Sequence, residues 1–371
     1  MSAASGRRTI LVNSVALGVL AALAAVGAPT LTEAAPAAPY QIFVSNEHSG
    51  DVTVIEGGTF KVLGTFPVGK RPRGIHASPD GKTVYVALSG SPIEGPPQLD
   101  AAGNPILKKN QKDDDDDDDA KADKSADGIG VIDVAQRKVK TKLKAGSDPE
   151  EFALSHDGSR LYISNEDTRT ASVLNVVSGK VESIIPVGRE PEGVAVSPDG
   201  KEFYVTCESG GEIFVIDTTA YKVAARFTVP VRPRSMDFLP DGSIGFIPSE
   251  TVGKLNVIDT AKHQVVEAID LPKGSRPMKV RVSPDGSKVY VSDGRAGTVS
   301  VLDTKSHQVL ATIKVGARPW GIQLSPDGKY LFAANGPSGD VSVVDLTKNE
   351  EVQKIKAGDG PWGLTIVTAK R

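Results

Sequence analysis

A four-residue turn signal recurs through the chain at an almost constant interval, and this constrains the fold more than any other feature. It reads Ser78-Pro79-Asp80-Gly81, Ser155-His156-Asp157-Gly158, Ser197-Pro198-Asp199-Gly200, Leu239-Pro240-Asp241-Gly242, Ser283-Pro284-Asp285-Gly286 and Ser325-Pro326-Asp327-Gly328. The last four intervals are 42, 42, 44 and 42 residues, and the first is 77, one period of 42 lengthened by 35. A period near 42 made of short strands marks a propeller blade and not a helical solenoid. Pro presets φ for a type I turn, and the Gly after Asp takes the left-handed conformation that closes a hairpin. The residues after each turn are apolar and β-prone, as in Thr83-Val84-Tyr85-Val86-Ala87 and Lys288-Val289-Tyr290-Val291-Ser292.

One unit can be written out over residues 190–230: Glu190-Pro191-Glu192-Gly193, a strand, the turn, and three further strands, which makes one four-stranded blade. The opening signal occurs seven times, with its prolines at Pro72, Pro149, Pro191, Pro233, Pro277, Pro319 and Pro361. Only six of these lead into a turn, and the repeat region begins at Gln41 with three strands that lack a first partner. The expected fold is therefore an all-β, seven-bladed β-propeller over residues 40–371, with four-stranded antiparallel blades. Its last blade is closed by pairing the C-terminal strand 361–367 with the N-terminal strand 40–46, which removes the open edges.

Residues 1–35 read as a cleaved signal peptide. Arg7-Arg8 precede an apolar run from Ile10 to Ala28 and small residues through Ala35, a layout that serves Sec or Tat export. Cleavage leaves no membrane span and places the mature chain in the periplasm or outside the cell. The single cysteine, Cys207, allows no internal disulfide, so packing must hold the fold. Residues 92–126 form an insertion in the first blade that carries seven consecutive aspartates, Asp113 to Asp119, and reads as a disordered, solvated loop. A net charge of −3, with no strongly basic stretch, excludes nucleic acid as an expected partner.

Val68-Gly69-Lys70-Arg71-Pro72-Arg73-Gly74-Ile75, Ser78 to Ala87 and Val301-Leu302-Asp303-Thr304 resemble the YVTN-family β-propeller repeat. More narrowly, Ser45-Asn46-Glu47, Asp148-Pro149-Glu150, Asn165-Glu166-Asp167 and Glu190-Pro191-Glu192-Gly193 are similar to small exported propellers associated with PQQ-dependent catabolism. That resemblance implies a propeller fold and a place beside a periplasmic quinoprotein system.

The hairpin geometry of a blade brings the residue after each opening proline close to the residue sixteen positions later. The pairs are Arg73 with Ser89, Glu150 with Glu166, Glu192 with Glu208, Arg234 with Glu250, Met278 with Gly294 and Trp320 with Gly336, while Trp362 meets Glu47 in the closing blade. The candidate ligand-binding ring is thus Glu47, Arg73, Glu150, Glu166, Glu192, Glu208, Arg234, Glu250, Trp320 and Trp362. Within it Glu150, Glu166, Glu192 and Glu208 are the candidate metal ligands, for a hard cation such as Ca²⁺. The histidines form no catalytic group by spacing, and only His48 and His76 lie near the ring.

The leading functional expectation is a non-enzymatic exported propeller that binds a protein partner or small ligand on its top face, accessory to a quinoprotein system. The alternatives are a metal-dependent lactonase-like hydrolase and a propeller subunit of a quinoprotein dehydrogenase.

Overall fold

The computed structural model of the protein describes residues 39–93 and 122–368. The expected leader and the aspartate run lie outside the described residues. At the first turn, Ser78 Oγ donates to Asp80 Oδ1 at 2.6 Å and accepts the Thr83 amide at 3.1 Å, while Asp80 Oδ1 also accepts the Lys82 amide at 3.0 Å. Ser and Asp therefore hold the hairpin from inside. The glycine of all six copies has φ between 68° and 74°, a conformation that strains any residue with a side chain. Four of the turns also abut the preceding one: a Cβ on Gly158 would lie 2.7 Å from Pro79 Cδ, one on Gly200 3.1 Å from His156 Nδ1, one on Gly242 3.4 Å from Pro198 Cδ and one on Gly286 2.9 Å from Pro240 Cδ. His156 thus fills the place that proline holds elsewhere.

The described residues form 28 strands in seven four-stranded antiparallel sheets. In six sheets the strands are in chain order. The closing sheet runs β28 (Pro361–Thr368), β1 (Tyr40–Asn46), β2 (Asp51–Glu56), β3 (Val62–Pro67), with Ile42 opposite Ile366 and Val44 opposite Leu364. The expected seven-bladed closure is what the structure shows. Apolar side chains collect between neighbouring blades, as where Phe43 and Val54 meet Ile75 and Val86, or Tyr162 meets Phe203 and Val205. The outermost strands, such as β3 and β27 (Glu350–Lys356), are mostly exposed or half-buried, whereas a middle strand such as β2 is buried along its centre. The inner strand is shortened in two blades, to Ile75–Ala77 in the first and Asp237–Phe238 in the fourth.

Hydroxyls stitch the blades at the inner rim. Ser45 donates to Arg73 O at 2.6 Å, Ser164 to Glu192 O at 2.7 Å, Ser292 to Trp320 O at 2.8 Å and Ser235 to Met278 O at 2.9 Å. Each accepting carbonyl belongs to the residue after an opening proline, so one bond both joins two blades and fixes a rim side chain. Ser164→Ala is expected to cost about 1–2 kcal/mol, because it strands a buried carbonyl. Urea unfolding measures this.

Candidate active site at the channel mouth

The residue before each opening proline has positive φ in all seven blades: Arg71 45°, Asp148 48°, Glu190 52°, Arg232 62°, Arg276 52°, Arg318 49° and Gly360 67°. Left-handed backbone costs a residue with a side chain on the order of 1 kcal/mol or more. Six charged residues are nonetheless held there. The repeated left-handed backbone turns the six charged side chains toward one end of the channel, where they join those after each proline. This pre-proline ring was readable in the sequence as six charged residues and one glycine at a single repeat position.

Of the expected sixteen-residue pairs, Glu150 meets Glu166, Arg234 meets Glu250, Met278 meets Gly294 and Trp320 meets Gly336, while Glu192 and Glu208 share Arg234. Arg234 donates from Nε to Glu250 Oε2 at 2.8 Å, its Nη1 lies 3.2 Å from Glu192 and contacts Glu208, and it is 8% exposed. Arg232 adds contacts to Glu208 at 2.8 Å and Glu250 at 3.2 Å. Burial disfavours the Glu250 carboxylate, but Arg234 and Arg232 outweigh it and bring its pKa down to about 2. On the other flank Arg73 donates to Glu47 at 2.9 Å and pairs with Glu150. Burial works against the Arg73 charge, yet Glu47, Asp148, Glu166 and Glu192 hold its pKa above the usual value. Burial, with the Asp148 carboxylate, raises Glu166 to about 8. Asp148, Glu150 and Glu166 each offer one oxygen within 4.8 Å of the others.

The opposite sector is apolar. Trp320 and Trp362 stack with ring centroids 5.7 Å apart at 23°, and Met278 is buried beside them. The Arg234 and Arg318 guanidiniums lie 5.3 Å and 4.9 Å from the Trp320 ring. Arg318 differs from Arg71 and Arg232: among the described residues no carboxylate lies within ion-pair distance of it. Burial, and then the Arg234 charge, lowers its pKa.

Deeper in the channel, three blades meet in a chain of charges that spacing alone did not reveal. His76 Nε2 lies 2.8 Å from Glu151 Oε1, and Lys279 Nζ donates to Glu151 Oε2 at 2.6 Å. Burial opposes the Glu151 charge, but Lys279 and His76 hold its carboxyl well below the ordinary range. Glycines at the equivalent positions leave room for these groups and let the blades approach: a Cβ on Gly193 would lie 2.6 Å from Arg234 O, and one on Gly321 2.7 Å from Trp362 O. The result is a funnel lined among others by His76, Glu151, Arg234, Lys279, Trp320 and Trp362.

Other sequence candidates fall elsewhere. His263 and His307 bridge neighbouring blades through Glu202 at 3.1 Å and Glu267 at 2.7 Å. Cys207 is buried in the core, and burial pushes its thiol up to about 12.

Residues 185–358, less than half of the chain, match the family model described as Lactonase, 7-bladed beta-propeller. The match is to that family and not to the YVTN repeat. No curated protein matches. Solved structures with the same fold include a periplasmic gluconolactonase of Pseudomonas aeruginosa (19% identity, TM-score 0.65, covering 90% of this chain and 100% of that one). A candidate 6-phosphogluconolactonase of Bacteroides fragilis has 17% identity and TM-score 0.68, covering 89% and 98%. Kuenenia stuttgartiensis hydrazine synthase has 23% identity and TM-score 0.64, covering 79% and 89%.

Proposed function

We propose that the protein is a hydrolase that opens lactones of sugar acids at the channel mouth. The observation that carries the reading is the pair of half-buried His76 and buried Glu151 under a funnel walled by two tryptophans, with Arg318 against the Trp320 ring and free of any ion-paired carboxylate among the described residues. Such a pocket supplies each element the reaction needs. The tryptophan faces suit the C–H face of a sugar ring. Arg318 can donate to the lactone carbonyl oxygen, which becomes the oxyanion when water adds. With Nε2–H donated to Glu151, the other nitrogen of His76 is the basic one and takes the proton of the attacking water. Glu151, kept ionised by Lys279, stabilises the imidazolium so formed. Collapse of the adduct breaks the ring C–O bond, and His76 returns its proton to the departing alkoxide, leaving a hydroxy acid.

The partial family match and the gluconolactonase among the structural neighbours support this reading over a purely binding module. The leader expected at residues 1–35 would place the chemistry outside the cytoplasm.

Hydrolysis of glucono-1,5-lactone, monitored by alkali uptake at constant pH, tests it. The protein is expected to exceed the spontaneous rate, and His76→Gln to lower kcat by about 100-fold or more with KM little changed. No rate above background on any five- or six-membered lactone would refute the activity. An unaffected His76→Gln variant would move the chemistry away from this pocket.

A further inference from the structure

The geometry points to a binding site for one hard divalent cation, Ca²⁺ by its chemistry, formed by Asp148, Glu150 and Glu166 of a single blade. It is independent of the hydrolase reading. Asp148 immediately precedes strand β8 (Pro149–Leu154), Glu150 lies in that strand, and Glu166 comes directly after strand β9 (Arg160–Asn165). One oxygen of each lies within 4.8 Å of the others.

A cluster of carboxylates alone would be unremarkable at such a mouth. What sets this one apart is that, with Arg71 3.7 Å from the other Asp148 oxygen and Arg73 paired with the other Glu150 oxygen, Asp148 Oδ1 and Glu150 Oε2 are still buried and accept no hydrogen bond, in residues only 4% and 1% exposed. A buried carboxylate oxygen without a donor is costly, and a bound ion is one of the few ways to satisfy it. The frame around the oxygens is fixed: Asp148 is held left-handed before proline, its carbonyl accepts the Glu166 amide at 3.0 Å, and the Glu150 carbonyl accepts the Gly74 amide at 3.1 Å. The donors are all carboxylate oxygens, with no sulfur or imidazole, which selects a hard cation over a transition metal. Ca²⁺ accepts irregular oxygen shells, whereas Mg²⁺ demands near-octahedral geometry.

Spacing alone spreads the ion over Glu150, Glu166, Glu192 and Glu208. In the structure Arg234 takes Glu192 and Glu208, which leaves the other two and recruits Asp148. Arg73, now against Glu150, keeps its Nε bond to Glu47 when the ion takes over the Glu150 charge.

Titration of the purified mature protein with Ca²⁺ by calorimetry in about 0.15 M KCl, which screens diffuse binding to the aspartate run, tests the site. One Ca²⁺ per chain is expected, bound more tightly than Mg²⁺. Asp148→Asn and Glu150→Gln, each checked for a native circular dichroism spectrum, should weaken it at least about tenfold. Glu212→Gln, outside the site, should leave binding unchanged. Absence of binding at about 1 mM Ca²⁺, or folded Asp148→Asn and Glu150→Gln proteins that bind as the parent does, would overturn the assignment.

Discussion

Replacing Arg234 by methionine is expected to destabilise the protein by about 3–5 kcal/mol at pH 7, the cost of leaving buried carboxylates without their counter-charge. Arg234 is 8% exposed on its side chain and sits among Glu192, Glu208 and Glu250. Arg232 would still serve Glu208 and Glu250, so Glu192 bears most of the loss. The pH dependence comes from Glu250, whose carboxyl stands at about 2 against an ordinary 4.5. A depressed folded-state pKa adds stability that is present above the unfolded value and disappears as pH falls toward the folded one. The variant forfeits much of that term, so its deficit should be largest at neutral pH and shrink between pH 4.5 and 2. Urea unfolding at pH 7 and near pH 3.5 measures both, and a neutral-pH loss below about 1 kcal/mol would contradict the balance described for the rim.

The second large effect has the opposite sign. Asp293→Asn is expected to stabilise the protein by about 2–3 kcal/mol at pH 7 and above. Three other blades carry an asparagine at this strand end, where its amide donates to a hydroxyl seven residues on: Asn46 to Thr53 at 3.0 Å, Asn165 to Ser172 at 2.7 Å, Asn335 to Ser342 at 2.8 Å. Asp293 keeps the same partner with the donor reversed, Ser300 giving its proton at 2.7 Å, and Thr298 adds a second bond at 2.9 Å. Asp293 Oδ1 has no partner, and burial raises the carboxyl to about 6 from 3.8. Because the folded-state pKa lies above the unfolded one, the wild type suffers no penalty below pH 3.8 and loses stability as pH rises to about 6. The asparagine variant has no such titration. Its advantage should therefore vanish near pH 3.5 and be complete by pH 7, as read from unfolding midpoints across that range. Equal stabilities at both ends would refute the account.

The closure and the mouth were legible because both repeat. The Ser-Pro-Asp-Gly turn carries its own hydrogen bonds and recurs, so it sets both period and blade count. The hairpin offset brought Arg234 to Glu250 and Glu150 to Glu166 without coordinates, since two antiparallel strands fix which residues share an end. The pocket floor was not legible, because it does not repeat. His76 and Lys279 meet at Glu151 only because the channel is narrow enough for side chains from three blades to touch across it, and Lys279 is 128 residues from that partner. Arg318 was missed for a different reason. Its distinction is the lack of an acid nearby, which depends on where the neighbouring blades direct their carboxylates. Asp148 escaped attention because only its left-handed backbone turns it toward Glu150.

The chain's two tryptophans, Trp320 and Trp362, both line the proposed lactone pocket, so fluorescence excited selectively at tryptophan reports on that place. Titration with the six-membered lactam analogue of gluconolactone, which binds without being opened, is the most direct measurement of the central claim. A saturable fluorescence change, smaller in Trp320→Phe, with inhibition of hydrolysis over the same lactam concentrations, is the predicted result. Hydrolysis that the lactam inhibits while the fluorescence stays unchanged would place the reaction elsewhere on the molecule and contradict the account.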